Sequence, residues 1–332
     1  LSMKICIIGA GAMGGLYGGH LLLAGHDVQF IEVRQAAVDA LNNGSYIFDG
    51  IDGEHRLKAP AATSADGLPP ADIAFIHTDS NNTQAAGEHA KAVLKPEGWA
   101  VTFQNGVGNV ETLSDVLGAE RVVGGISYHS AASPKAGHAT HTNANKTWIG
   151  ELNVGKEGGG GSARVEQLRE LLAASNFDPH IADDIQSVIW TKFMLNCAVN
   201  PLCAISGLRS GEVGADDAAV EMQELILDET LAVIAAKGIA LMDPDPKASI
   251  KRILGRAFNK PSMLQHMEAG LRTEIDSLNG AVVREGAALG IPTPYNHALT
   301  MMIKARNANM IRQIHEPPID YAALEAAAQA ER

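Results

Sequence analysis

The chain has 332 residues, with 38 acidic against 26 basic side chains and a formal net charge of −12. That length allows two domains that each bury a core, and the negative charge argues against a nucleic-acid or anionic-membrane partner, which it would repel. No apolar run approaches the roughly 20 residues that span a bilayer, and no basic-then-apolar leader is expected. Leu1-Ser2, ahead of Met3, reads as a cloning remnant. Cys6, Cys197 and Cys203 form neither an even framework nor a CxxC pair, so they read as buried free thiols in a reducing compartment, and the expected location is cytoplasmic.

Residues 4–8 are a short apolar run of strand character. Gly9-Ala10-Gly11-Ala12-Met13-Gly14 follows at once, then a helical stretch ending near Gly25 and a second strand-like run at 28–31, closed by Glu32. Strand, glycine turn, helix, strand and acid is the order that dinucleotide binding requires. Gly9 permits the tight turn, Gly11 lets the backbone approach a pyrophosphate, and Gly14 lets the helix pack on the sheet, while the helix N-terminus offers N–H groups to phosphates.

Residues 36–41 suit a short helix. Residues 46–57, with Asp49-Gly50 and Asp52-Gly53 between strand-like flanks, suit a hairpin. Strands are predicted at 72–77, 99–104 and 122–128, with a helix running to about residue 94 between the first two. The strand at 99–104 ends in the loop Gln104-Asn105-Gly106-Val107-Gly108-Asn109. This alternation predicts a doubly wound, mostly parallel sheet covered on both faces, with ligands bound at the carboxyl ends of its strands, where Asn105 sits. The glycine-rich 155–162 reads as a surface loop, because a helix at 163–174 and a run at 177–181 still suit the first domain. Alternation stops at Asp184, which puts the boundary near 183: an α/β domain over 1–183 and an all-α domain over 184–332. Helices are predicted at 184–205, 217–237 closed by Gly238, 247–258, and 262–289 closed by Gly290. Ser262 and Gln265 have capping-box spacing at the start of the last, and the terminal ALEAAAQAER reads as a frayed helix.

The helix at 184–205 is apolar almost all round, which marks it as buried. Lys192, Asn196 and Asn200 interrupt it at intervals of four and therefore share one face. Desolvating a lysine ammonium costs several kcal/mol unless it is paired, so the stripe reads either as a polar wall facing a cleft or as a snorkelling lysine with a structural asparagine pair. Glu274 falls beside a predicted apolar stripe of Leu271, Ile275, Leu278 and Val282. It reads equally as an inward carboxylate or a solvated one beside Arg272.

The glycine turn, the 104–108 loop, WTKFMLNCAVNP at 190–201, PSMLQ at 261–265 and TEID at 273–276 together resemble the ketopantoate reductase (2-dehydropantoate 2-reductase) family, in the right order across both domains. The resemblance implies an N-terminal Rossmann domain, a helical C-terminal domain, and NADPH-linked reduction of a 2-oxo acid to the (R)-2-hydroxy acid in the cleft between them. By default the substrate is 2-dehydropantoate, within pantothenate biosynthesis. It implies Lys192 as general acid and Glu274 as a second catalytic or substrate-binding group. Asn105 is implied to help hold the nicotinamide and the lysine, and Asn196, Asn200 and Ser262 to hold substrate oxygens. The cofactor side is Gly9, Ala10, Gly11, Ala12, Met13, Gly14, Glu32 and Asn105.

Two features depart from the family pattern. Glu32 and Thr78-Asp79-Ser80 stand where NADPH-using members commonly carry basic residues, and a carboxylate there accepts bonds from both ribose hydroxyls but repels a 2′-phosphate, which favours NADH. Arg34, two residues on, is a possible phosphate ligand. His266 stands where the family usually has aspartate, which puts ketopantoate itself in question. The alternatives are an NAD-dependent (R)-2-hydroxy acid dehydrogenase on the same scaffold and a nucleotide sensor without turnover. Against the sensor stands the joint presence of Lys192, Asn196, Glu274 and Ser262. No metal is expected: His138 and His141 read as surface histidines without a matching acid or cysteine cluster. A helical domain rich in Ala, Leu and Met is compatible with a homodimer.

Overall fold

The computed structural model describes residues 3–152, 161–256 and 258–330. Two compact units divide the chain, Leu1–Phe193 with Lys237–Pro244 and Met194–Ala236 with Asp245–Arg332. The first opens with β1 (Lys4–Ile8), α1 (Ala12–Leu23), β2 (Asp27–Ile31), α2 (Gln35–Asn43), β3 (Tyr46–Gly50), β4 (His55–Leu57), β5 (Ala61–Ala62) and β6 (Ala71–Ile76). It continues through α3 (Thr83–Val93), β7 (Leu94–Thr102), α4 (Asn109–Leu117), β8 (Val122–Ser127), β9 (Ser130–Ala132), β10 (His138–Asn143), β11 (Lys146–Gly150), α5 (Ala163–Ala174) and β12 (Asp178–Ile181). Of the predicted glycine-rich loop, residues 155–160 lie outside the described residues.

Eight strands form one sheet in the order β12-β11-β8-β7-β6-β1-β2-β5. All its pairings are parallel except β11 with β8. From β5 to β8 this is the doubly wound dinucleotide-binding order, whose switch point lies between β1 and β6. Strands buried on both faces read as continuous apolar runs, as ICII in β1 and IAFI within β6 do.

A second sheet, β4-β3-β10-β9, was not expected. The predicted hairpin at 46–57 is present as antiparallel β3 and β4, and β3 also pairs in parallel with β10. Helix α1 packs on both sheets, so a small sheet takes a place where helices were expected. The same pairing corrects the reading of His138 and His141. His138 meets Asp49 at 2.8 Å and His141 meets Asp52 at 2.5 Å, and His141 is only 2% exposed. Sequence separation of 89 residues hid these acids, which the β3–β10 pairing brings alongside.

Helix α6 (Ile185–Ser206) carries the division between the units, so each unit holds part of it. It also corrects the expectation that no apolar run is long enough to span a bilayer. By length and composition it qualifies, yet 72% of its apolar window is buried inside the protein, as in a core helix. The second unit continues with α7 (Ser210–Val213), α8 (Asp217–Ala236), α9 (Pro246–Leu254), α10 (Ser262–Glu268), α11 (Asn279–Leu289), α12 (Pro294–His315) and α13 (Tyr321–Ala330).

The single helix predicted at 262–289 is in fact two. Gly270, at φ +63, ends α10 in a left-handed cap: the Leu271 N–H bonds His266 O and the Gly270 N–H bonds Met267 O. A 3-10 turn at Ile275–Ser277 then precedes α11. Leu271 is 52% exposed, so the apolar stripe reduces to Ile275, Leu278 and Val282. The capping box is absent as well: Pro261 holds the cap position and Ser262 is already helical. Helix α12 was missed because Asn296, Thr300 and Asn307 interrupt its buried face. Its N-terminal signal is Pro294 at the first position, and Glu229 of α8 accepts the N–H groups of Tyr295 and Asn296, both at 2.9 Å.

Glycines set how closely α1 lies against its neighbours. A Cβ on Gly18 would stand 2.4 Å from Phe30 Cζ, and one on Gly15 would stand 2.2 Å from Tyr46 Oη. We expect Gly18→Ala to lose about 1 to 3 kcal/mol in urea unfolding despite alanine's helix propensity gain of about 1 kcal/mol, because a fully buried Phe30 has nowhere to move. A neutral or stabilising result would show that the interface is loose.

Candidate functional site

Strands β1, β6, β7 and β8 run parallel, so their carboxyl ends share one edge of the first unit. The glycine turn follows β1 there. Gly9 has φ +93 and donates its N–H to Ile31 O at 2.8 Å. A Cβ on Gly14 would stand 1.7 Å from Gly9 O, so the turn closes only with glycine there. Helix α1 starts at Ala12, and Ala12, Met13 and Gly14 form its first turn, where N–H groups lack helical partners. Tyr46 supports the turn from the small sheet by donating its hydroxyl to Ala10 O at 2.8 Å, a contact with no local sequence signal.

Glu32 stands just beyond β2 and is 4% exposed. One carboxylate oxygen accepts from the Ala10 N–H at 2.8 Å and from Arg34 Nη2 at 2.9 Å. The other accepts from the Arg34 N–H at 2.9 Å and Nε at 3.0 Å. Burial opposes the charge, but the bonds from Arg34 and Ala10 outweigh it and hold the carboxyl below its usual range. Arg34 is itself half-exposed, and its Nη2 would lie 3.7 Å from a Cβ on Gly11, so it borders the turn.

At the end of β7, Gln104 acts as a hub that sequence reasoning placed only as part of a loop. Its Nε2 donates to Thr83 Oγ1 at 3.0 Å and Thr78 O at 3.1 Å, while its Oε1 accepts from Thr102 Oγ1 at 2.9 Å. Asn105 O accepts from Ser80 Oγ at 2.6 Å and Asn109 Nδ2 at 2.8 Å, which fixes the Asn105 backbone beside the β6 terminus. At the end of β8, Ser127 O accepts from Lys192 Nζ at 2.7 Å, and the ammonium also lies 5.5 Å from the Tyr128 ring centroid. A carbonyl and an aromatic face thus meet a half-buried cation. The first unit thereby brings the glycine turn, Asn105 and Lys192 to the carboxyl edge of one sheet.

The remaining predicted residues belong to the second unit. Asn196 is half-buried and Asn200 is 8% exposed, both on α6. Ser262 opens α10, and Glu274, 9% exposed, immediately precedes the 3-10 turn rather than lying on a long helix. Asn307 of α12 holds this stretch: its Oδ1 accepts the Thr273 N–H at 3.0 Å and its Nδ2 donates to Leu271 O at 2.8 Å. Pro201 lies inside α6 and has no N–H for the carbonyl four residues earlier. That carbonyl, Cys197 O, accepts instead from Asn279 Nδ2 at 3.1 Å, and Asn279 Nδ2 also donates to Asn296 Oδ1 at 2.9 Å. The next carbonyl, Ala198 O, accepts from Gln223 Nε2 at 3.2 Å.

Family comparison matches residues 5–154 to ketopantoate reductase PanE/ApbA and residues 184–307 to the ketopantoate reductase PanE/ApbA C-terminal model. The 2-dehydropantoate 2-reductase of Archaeoglobus fulgidus is 30% identical over 302 residues, which are 91% of this chain and 97% of that protein. The chain belongs to the ketopantoate reductase family. It is accordingly an oxidoreductase with a Rossmann domain and a helical C-terminal domain. Among solved structures, the PanE/ApbA family ketopantoate reductase of Ralstonia eutropha JMP134 aligns with TM-score 0.84 at 30% identity, covering 93% of this chain and 99% of that one. D-mandelate dehydrogenase with NADH and anilino(oxo)acetate aligns with TM-score 0.86 at 25% identity, covering 93% and 99%.

His77 follows β6 beside the glycine turn. Its ring stacks on Phe103 at 5.6 Å, and its buried Nε2 has no hydrogen-bond partner among the described residues. Burial pushes its pKa down to about 3. The unfolded chain therefore takes up a proton near pH 6.5 that the native state refuses until about pH 3, so the neutral ring supports folding fully above pH 6.5 and progressively less below it. We expect thermal midpoints to fall from pH 6.5 to 4.5. In His77→Phe the dependence should be shallower by up to about 1.4 kcal/mol per pH unit. Parallel profiles for the two proteins would place the acid sensitivity elsewhere.

Proposed function

We propose that this family member reduces a 2-oxo acid with a nicotinamide cofactor, by default 2-dehydropantoate to (R)-pantoate, with Lys192 as general acid. The observation that carries this reading is the Lys192 ammonium fixed at the carboxyl edge of the sheet, on the side that also holds the glycine turn. The turn fits a dinucleotide: Gly9 and Gly14 let it close against His77 O and Gly9 O, and Gly11, where a Cβ would meet only Arg34 Nη2 at 3.7 Å, leaves the backbone open to a pyrophosphate at the α1 N-terminus. Gly9, Ala10, Gly11, Ala12, Met13, Gly14, Glu32 and Asn105 would hold that cofactor, which when bound supplies the hydride.

The rest of the chemistry falls to the chain's own side chains. A ketone oxygen that gains negative charge is stabilised by an ammonium already oriented by Ser127 O, and the same nitrogen gives the proton. Asn105, Asn196, Asn200, Ser262 and Glu274 are assigned to substrate oxygens, with Glu274 orienting the hydroxyl that forms. NADH is the favoured cofactor, because Glu32 is a buried carboxylate beyond β2 where ribose hydroxyls would need an acceptor. All four of its acceptor positions are engaged, so binding requires Arg34 to swing outward, and a half-exposed side chain can do so. The likeness to D-mandelate dehydrogenase with NADH supports a second reading, an NAD-dependent (R)-2-hydroxy acid dehydrogenase acting on another acid.

Steady-state rates with 2-dehydropantoate and a panel of other 2-oxo acids, each with NADH and NADPH, separate these readings by kcat/KM. Lys192→Ala should lower turnover about 10²- to 10⁴-fold with the dissociation constant for NADH nearly unchanged; undiminished turnover would remove the lysine from the mechanism. Glu32→Arg should move the cofactor ratio toward NADPH. An unmoved ratio would mean that this carboxylate does not meet the ribose, and inactivity across the whole panel would leave only nucleotide binding.

A further inference from the structure

The clearest group of metal-ligating side chains away from the carboxyl edge lies between α1 and the small sheet. His20 comes from the last turn of α1, Asp52 from the turn between β3 and β4, and His141 from β10. One nitrogen of each histidine and one oxygen of Asp52 lie within 4.8 Å of one another. We propose that these three side chains bind a divalent transition-metal ion, zinc by its donor preference, which pins α1 to the small sheet.

Several observations point to a ligand rather than a chance meeting of polar groups. His20 and His141 are 4% and 2% exposed, and His20 Nε2 is a buried nitrogen without a hydrogen-bond partner among the described residues. Such an atom costs free energy unless something meets it. Asp52 Oδ2 lies 3.4 Å from His20 Nε2 and 2.5 Å from His141 Nδ1. In a tetrahedral site with bonds of about 2.0 to 2.1 Å, ligand atoms stand roughly 3.3 Å apart; the Asp52–His20 pair already has that spacing, the Asp52–His141 pair must open by less than about 1 Å, and the two histidine nitrogens lie within 4.8 Å of each other.

The surroundings match what a ligating imidazole requires. His141 Nε2 lies 3.1 Å from both Asn143 O and His129 Nδ1, and with its proton donated to either of them Nδ1, now 2.5 Å from Asp52 Oδ2, is the lone pair that an ion between the two would take. The backbone also presets the group. The Ile51 N–H bonds His141 O at 3.0 Å, and Gly50, at φ +111, would place a Cβ 2.0 Å from that same oxygen. Only glycine lets the hairpin turn press Asp52 against β10. Rings of Phe48 and Phe177 flank His20 at 5.2 and 5.0 Å, while the Asp52 side chain is 19% exposed, so water can reach it to complete the coordination. Two imidazoles and one carboxylate suit zinc and disfavour magnesium or calcium, which require oxygen ligands.

The test uses full-length protein freed of metal by a chelator and titrated with zinc in a calorimeter, with cobalt as a spectroscopic substitute. We expect one ion per chain, visible absorption typical of four-coordinate cobalt, and a thermal midpoint raised by about 5 °C when zinc exceeds its dissociation constant a hundredfold. Asp52→Asn and His20→Gln should each weaken zinc binding about tenfold or more, while circular dichroism and NADH titration stay as in the parent. Absence of one-to-one binding in the parent protein overturns the proposal whatever the variants do. So does binding that survives both substitutions undiminished.

Discussion

The first unit depends on how close α1 can come to the strands on either side of it. A helix whose N-terminus must meet the end of β1 cannot stand off at the usual side-chain distance. Gly14 seats its first turn against the Gly9 carbonyl, and Gly15 and Gly18 let Tyr46 and Phe30 fill the space that Cβ atoms would take. The sheet order, the turn conformation and the small sheet all fit around that helix. Tyr46 joins these layers, because it packs on Gly15 and bonds the Ala10 carbonyl at the turn itself.

Features carried by local pattern were legible in the sequence, and those carried by distant partners were not. The strand-turn-helix at residues 4–23, the hairpin and the α/β-then-helical layout all rest on short-range periodicity and glycine placement. The small sheet depends on β3 meeting β10 some ninety residues later, and no local signal encodes that pairing. The break at Gly270 was legible in principle, since glycine after a helical run is a stop signal, but the apolar spacing across it mimicked one continuous helix. Helix α12 fails the apolar template because Asn296 and Asn307 sit on its inner face, where they serve as hydrogen-bonding clamps.

The site divides in the same way. Gly9, Gly14, Glu32, Asn105 and Lys192 were singled out from the sequence, and the structure adds what orients them: Arg34 on Glu32, Ser80 and Asn109 on the Asn105 backbone, and Ser127 on Lys192. Of these supporting groups only Arg34 was singled out in the sequence, and there as a phosphate ligand rather than a partner of Glu32; Ser80, Asn109 and Ser127 are ordinary polar residues with nothing in their spacing to mark them. Gln104 has the most contacts of this kind and is the least conspicuous in the sequence.

Pro201 and Asn279 illustrate how such support constrains change. The proline strips Cys197 O of its helical partner, and the asparagine amide fills the place while bonding Asn296 on a third helix. Neither position is independent of the other. Losing Asn279 strands a buried carbonyl, whereas restoring an N–H at residue 201 makes that amide redundant at Cys197 and leaves it tied only to α12. Drift at either site is therefore conditional on the residue at its partner, so the order in which substitutions arrive decides which of them the helical unit tolerates.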